Sequence, residues 1–366
     1  MEKTKVQIEI EQFFKNKVKK DLKIHNAYLR VHSEKYRIDF SMNTGKESIH
    51  PDQPFYIASI SKLFTSVLFA QLIEQGHCSY EDKISKYLEI DILNNLHIYK
   101  GKDYTHEIKI KHLLNNTSGL HDFFEDKPVK GKAFVDLILD DPNRTWTPQE
   151  VIQWAKENLK THFPPGERFH YSDTGYHLLG LIIEKITGLS FHEVLSKNIF
   201  EPLGMKHSHF SRMKPLEESP YEIAKIYMRN INVTHYQSMR SSVYAGGGIV
   251  STTGDLLKFM KALVHYQLLQ KKTIEKMKND CGKFFLGIDY GYGVMNIKTI
   301  PLLMPAKYNS WGNAGSTGSF MFYHPVTDTY IIGTLNQSGY GQKGIKLMLQ
   351  IADKILKAIK KSEVLL

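Results

Sequence analysis

Cysteine is scarce in this chain. Two thiols, Cys78 and Cys281, stand far apart among 366 residues. They give no disulfide framework, and neither has a neighbour at metal-ligand spacing. Long apolar runs are missing too. No stretch reaches the roughly 18 apolar residues that a membrane-spanning helix requires, so no membrane span is expected. Met1-Glu2-Lys3-Thr4-Lys5 leads into a charged amphipathic stretch, not a secretory apolar core. The chain as it stands reads as cytoplasmic, or as exported if a signal has been removed. Internal repeats and low-complexity segments are also missing. An acidic excess is absent: 48 Lys and Arg face 38 Asp and Glu, a net charge of +10. Such a balance suits a nucleic-acid or anionic-surface partner. The lysines of 15–23, 271–278 and 354–361 are interrupted by apolar or acidic residues, however. No RNA-binding aromatic signature and no zinc-finger spacing accompanies them. They read as solvated helix faces, and no nucleic-acid partner is expected.

What remains is ordinary for a soluble globular protein, at 42% hydrophobic and 23% charged residues. The length allows one large or two medium domains. Residues 5–22 carry a mostly helical apolar pattern. Ala27 to Val31 and Tyr36 to Phe40 read as a strand hairpin. A helix follows Ser59 through Leu63, Val67 and Leu72 to a stop at Gly76. Thr147-Pro148-Gln149-Glu150 opens a further helix with a cap, a proline and an acid in place. Pro164-Pro165-Gly166-Glu167 is a turn. Helical periods return at Tyr176 to Ile186 and Leu256 to Leu263. Strands return at Tyr292 to Ile297, Ser319 to Tyr323 and Thr329 to Leu335, before a closing helix from about Lys343 to Ile359. Strands lie at both ends and helices in the middle. The two ends are expected to pair into one antiparallel sheet with helices on its faces.

Chemistry concentrates at Ser59-Ile60-Ser61-Lys62. Residues three apart on a helix share a face, so the amine reaches the hydroxyl. A serine hydroxyl becomes a nucleophile when an adjacent base takes its proton. A helix N-terminus adds N–H groups suited to an oxyanion. Serine is also a common helix cap, so this motif alone decides little.

Two later motifs add weight. His170-Tyr171-Ser172-Asp173-Thr174-Gly175-Tyr176 lies in a loop before a helix, with Tyr171 placed as a phenolate base or a hydrogen-bond relay. Trp311-Gly312-Asn313-Ala314-Gly315-Ser316-Thr317-Gly318 precedes the last strand pair, and its small residues admit a ligand close to the backbone. It lacks the spacing and the lysine of a phosphate loop.

In this order the three motifs resemble the penicillin-binding-protein and class C β-lactamase-like serine hydrolases. The connecting segments Leu113 to Leu120, Phe163 to Glu167, Pro202 to Met205 and Gly246 to Thr252 share the likeness, which runs from about residue 25 to the end. The resemblance implies an α+β fold: a five-stranded antiparallel sheet flanked by helices, with an inserted, mainly helical domain. Residues 1–85 together with 285–366 would form the sheet domain and 86–284 the helical one, with the active site in the cleft between. It further implies Ser59 as nucleophile, Lys62 and Tyr171 as its proton handlers, and an oxyanion hole from the N–H groups of Ser59 and Ser316. Substrate contacts would fall at Asp173, Asn313, Gly315 and Ser316. Neither metal nor organic cofactor is expected, and the partner is a small-molecule or peptide ester or amide.

Two departures from the family pattern matter. Its second motif ends in asparagine, and here in Asp173; a carboxylate beside Lys62 favours the ammonium and shifts proton transfer toward Tyr171. Its third motif begins with a basic residue, and here with Asn313, which is neutral and cannot relay a proton. Carboxylesterase, D-amino-acid peptidase and weak β-lactamase activities all stay open, as does a degraded, slowly acylating binding or sensing member of the same fold. His207 and His209 alternate toward one face but lack a third ligand. His121 and Asp122 are expected to shape a loop near the cleft, with a His–Asp dyad serving Ser59 as the lesser alternative. Tyr56, Phe123, Phe124, Tyr244, Tyr292 and Phe320 are available to line an apolar pocket.

Overall fold

The alternating segment 27–44 forms the hairpin that anchors the frame. Strand β1 (Ala27–Ser33) pairs antiparallel with β2 (Ile38–Thr44). Arg37 takes a left-handed φ of 52° in the connecting turn. The computed structural model describes residues 4–300 and 305–363. From the C-terminal part come β3 (Gly282–Phe285), β4 (Ile288–Tyr290), β5 (Met295–Ile297), β6 (Ser310–Ala314), β7 (Phe320–His324) and β8 (Thr329–Thr334). The sheet order is β3-β4-β5-β6-β7-β8-β1-β2, antiparallel throughout. Strands β8 and β1 close the two ends of the chain onto each other, from Tyr28 opposite Thr334 to His32 opposite Tyr330.

The sheet therefore has eight strands where five were expected. The three additions have physical reasons. Strand β6 hides in the glycine-rich stretch, because a Cβ at Gly312 would lie 1.9 Å from the Met321 carbonyl oxygen of the next strand. Strands β3 and β4 are four and three residues long, with a register irregularity between Lys283 and Phe285. Such short pieces carry too few alternations to be read. The strand expected from Tyr292 starts at Met295, because Gly293 turns the chain with φ +66°.

Period-two alternation sends the strand residues to two layers. Leu29, Val31, Phe322 and Ile331 pack under helix α1 (Lys5–Lys19) and the closing helix α5 (Gly341–Glu363). Tyr28, Met321 and Ile332 face the opposite way, toward α2 (Ser61–Glu74) and α4 (Thr253–Val264). Helix α3 (Asp173–Thr187) also packs into this second layer, capped by Ser172 and ended by Gly188 at φ +68°. A small sheet of Phe55–Tyr56, Ile249–Ser251 and His209–Phe210 delivers the chain to the start of α2.

Helix α2 is buried without a break from Ser61 through Ala70. A helix apolar on all sides belongs in a core. Its Phe64 ring stacks on Phe259 at 3.7 Å between centroids and meets Phe200 edge-on at 6.2 Å. Phe64→Ala is expected to cost about 3–5 kcal/mol of stability, the usual range for a buried aromatic truncated to alanine. Urea unfolding followed by circular dichroism would show the lowered midpoint. An unchanged midpoint would mean that α2 is not the packing centre described.

Candidate active site

Ser59 stands on a sharp turn before the central helix. Ile57 donates to the Ile249 carbonyl at 3.1 Å, and residues Ala58–Ile60 form a single 3-10 turn. Helix α2 starts two residues later than the sequence pattern implied, at Ser61. Ala58 holds a left-handed φ of 48°, unfavourable for a residue with a Cβ. The turn is held from outside. Ser319 Oγ donates to the Ile57 carbonyl at 2.8 Å. Gly315, at the end of β6, comes so close that a Cβ there would lie 2.8 Å from the Ala58 Cβ and 2.9 Å from the Ile57 oxygen. The absent side chain at Gly315 thus lets the Ser316 turn sit beside Ser59.

Lys62 is the second residue of α2, one turn beyond Ser59, with no exposed surface. Its Nζ donates to Ser59 Oγ at 3.2 Å and to the Gly246 carbonyl at 2.9 Å, and forms a short ion pair with Asp173. The same Nζ lies 4.8 Å from the centroid of the Tyr171 ring and 5.3 Å from that of Tyr176. Asp173 is the first residue of α3; Ser172, not Asp173, is the cap. Gly246 must be small, since a Cβ there would fall 2.6 Å from Asp173 Oδ1 and 3.3 Å from Lys62 Nζ.

Tyr171 is half-buried against Phe284 and Tyr290. Burial, and then the negative charge of Asp173, push its phenol well above the usual tyrosine range, while the nearby Ser59 pulls the other way. The resting side chain is therefore a phenol and not a standing phenolate. Asp122, read from the sequence as shaping a loop, is buried behind this group. Its Oδ1 accepts from the Phe124 and Asp173 N–H groups at 3.1 and 3.3 Å. Its Oδ2 is buried with no partner among the described residues. Burial, and then the nearby charge of Asp173, raise the Asp122 carboxyl well above the usual carboxylate range.

Asn313 is wholly buried. Its Nδ2 donates to the Gly293 carbonyl and its Oδ1 accepts from the Ala314 N–H, both at 2.7 Å. Ser59, Asp173 and Ser316 line one cleft, with about 600 Å³ of space including its open mouth. Phe123, Phe124, Met228, Val233 and Met239 give it a mainly apolar wall, and no lysine, arginine or histidine lines it among the described residues. Of the six aromatics thought able to line a pocket, Tyr56, Phe123 and Phe124 do, while Tyr244, Tyr292 and Phe320 are buried in the two main cores. His209 lies in a strand, and His207 Nδ1 faces the Glu217 carbonyl at 3.2 Å. Both cysteines are free thiols.

Sequence reasoning passed over Gly246 and gave Asp122 no part in the charge network. The run Gly246-Gly247-Gly248 was a signal for close backbone approach, but nothing in it named Asp173 as the neighbour.

Comparison with known proteins follows the same lines. The Beta-lactamase family model matches residues 16–354. Penicillin-binding protein 4* of Bacillus subtilis (strain 168) is 29% identical over 266 residues, which is 68% of this chain and 54% of that protein. The chain thus spans about half the length of the first curated relatives it matches. Among solved structures, the octameric penicillin-binding protein homologue from Pyrococcus abyssi superposes with a TM-score of 0.75 at 26% identity, covering 95% of this chain and 77% of that one. The D-amino acid amidase from Ochrobactrum anthropi SV3, complexed with L-phenylalanine amide, gives a TM-score of 0.76 at 22% identity, covering 98% and 100%.

The raised Asp122 carboxyl has a pH consequence. Its proton is held by the folded chain at pH values where the unfolded chain has lost it. The stability it supports is therefore full below an unfolded value of about 3.9 and falls as pH rises through the folded value. Asparagine copies the protonated acid without that loss. Asp122→Asn is expected to match the wild type near the unfolded value of about 3.9 and to gain on it as pH rises from there toward the folded value, read as urea midpoints. A difference that stays constant over this range would contradict the assignment.

Proposed function

This chain belongs to the Beta-lactamase family, and on that premise we propose that it is a serine hydrolase that cleaves an ester or amide through an acyl-enzyme. The observation that carries the proposal is the 3.2 Å contact between Lys62 Nζ and Ser59 Oγ, made in a buried site beside an open cleft. Ser59 Oγ attacks the substrate carbonyl carbon. Its proton passes to the Lys62 amine, with the neutral Tyr171 phenol as relay. The N–H groups of Ser59 and Ser316 receive the developing oxyanion. The leaving alcohol or amine takes the proton, and water then hydrolyses the Ser59 ester. Lys62 acts as base only when its pair with Asp173 opens, so Asp173 restrains acylation. Gly315 supports the oxyanion hole by permitting close approach, and Asn313 braces β6 against Gly293.

The cleft favours a neutral or ammonium-bearing acyl donor over an anionic one. Its wall is apolar, no cation lines it among the described residues, and the carboxylate within it, Asp173, repels a substrate carboxylate. The partner is thus a small-molecule or peptide ester or amide without an acid group beside the scissile bond. Among the described residues no helix is long and apolar enough to cross a membrane.

Intact-protein mass after treatment with a fluorophosphonate tests the nucleophile. One phosphonyl adduct is expected on the wild type and none on Ser59→Ala. No adduct on either would favour a binding or sensing role for the same fold. A panel of nitrophenyl esters, D-amino-acid amides and a chromogenic cephalosporin tests the substrate class. Turnover of the first two well above the cephalosporin is expected, and efficient cephalosporin hydrolysis would overturn the charge argument.

A further inference from the structure

Asp126, His162 and His170 come together outside the cleft, sharing no residue with its lining. One ligand atom from each lies within 4.8 Å of the others. Both imidazoles point Nε2 at the same carboxylate oxygen, His162 at 2.8 Å and His170 at 3.2 Å from Asp126 Oδ2. Their rings stack 3.5 Å apart. We propose that these three side chains form a binding site for a divalent transition metal of the zinc type, fixed against the loop that carries Tyr171.

The donor set is right for such an ion. Two imidazole nitrogens and one carboxylate oxygen match the borderline preference of zinc, with a further position left for water. Bonds of about 2.0–2.1 Å at tetrahedral angles place ligand atoms about 3.3 Å apart, close to the two nitrogen–oxygen separations of 2.8 and 3.2 Å. The segments bearing the ligands are already braced. The His162 N–H donates to the Gly119 carbonyl, the His170 N–H to the Asn116 carbonyl and the Asp126 N–H to the Asp122 carbonyl, at 2.9, 2.9 and 3.0 Å. The Asp122 N–H in turn donates to Asp126 Oδ2 at 2.8 Å and orients the carboxylate, as outer partners do in metal sites. None of the three is sealed off: their side chains are 18%, 34% and 26% exposed, in chain order. A groove walled by Asp126, Lys127, Val129, Lys160 and His162 gives access from solvent.

Binding is a coordination exchange without redox change. Each imidazole presents its Nε2 lone pair, and a proton on that nitrogen moves to Nδ1 or leaves to solvent. The ion would tie the turn 122–126 to residues 162–170 and so hold His170 one residue from Tyr171. The expectation of no metal came from the family resemblance, and spacing along the chain gives no hint of this cluster, since Asp126 and His162 stand 36 residues apart. Folding, not sequence proximity, makes this cluster.

Titration of the metal-stripped full chain tests the site. Zn²⁺ is followed by calorimetry and Co²⁺ by its visible absorption, in the wild type, His162→Gln and His170→Gln. One ion per chain is expected in the wild type. Each variant is expected to bind at least about tenfold more weakly, since even loss of an outer partner costs that much. Where a variant fails to fold, histidine modification mapped by peptide mass decides instead: Zn²⁺ should protect His162 and His170 of the wild type. No binding by the wild type, wild-type affinity in both variants, or no protection would each overturn the proposal. These readouts do not depend on Ser59, so they stand apart from the test of hydrolase activity.

Discussion

A lysine is buried at the first turn of the central helix, and the surrounding architecture answers to it. Taking an unpaired ammonium out of water costs several kcal/mol, so Lys62 must find charge and hydrogen bonds inside the protein. Asp173 supplies the charge from the first residue of α3. The Gly246 carbonyl and Ser59 Oγ supply acceptors, and two tyrosine rings lie beside the ammonium. Each partner constrains another element. Gly246 has no room for a side chain, and α3 must begin where its first carboxylate meets α2. Burial first, and then the charge of Asp173, drive Asp122 behind the pair to keep its proton.

The same arrangement separates this site from its family pattern. Asparagine in place of Asp173 would leave the lysine hydrogen-bonded but unpaired in charge. Asp173 also shapes the cleft, because its carboxylate is the one charged group on a wall that is otherwise apolar or neutral among the described residues. The missing base of the third motif has a plain structural counterpart. Asn313 turns both ends of its amide into the protein, tying β6 to the turn at Gly293.

Features set by neighbours in the sequence were legible before the fold was seen. The spacing of Ser59 and Lys62 reports directly on one helical turn, and the alternation in β2 and the short apolar runs of β7 and β8 report on strands at the two ends of the chain. Even the capping box at Thr147 and Glu150 is present as written. What escaped was set by distance along the chain or by brevity. The partner of Lys62 lies 111 residues away, and His170 lies 44 from Asp126. Strand β6 was hidden by the glycine that its neighbour requires, and β3 and β4 by their length. The position of Ser59 on a turn ahead of the helix, not at its first residue, follows from Ser319 and Gly315, which press on the turn from the far end of the chain.

The central claim is that Asp173 restrains Lys62 and thereby limits the activation of Ser59. The most direct measurement is the rate of fluorophosphonate labelling of Ser59 across pH, for the wild type and Asp173→Asn. Asparagine keeps an oxygen for Lys62 to donate to, but removes the charge. The variant is expected to label faster and to hold its rate to lower pH. A variant that labels more slowly, or a profile that superimposes on the wild type, would contradict it.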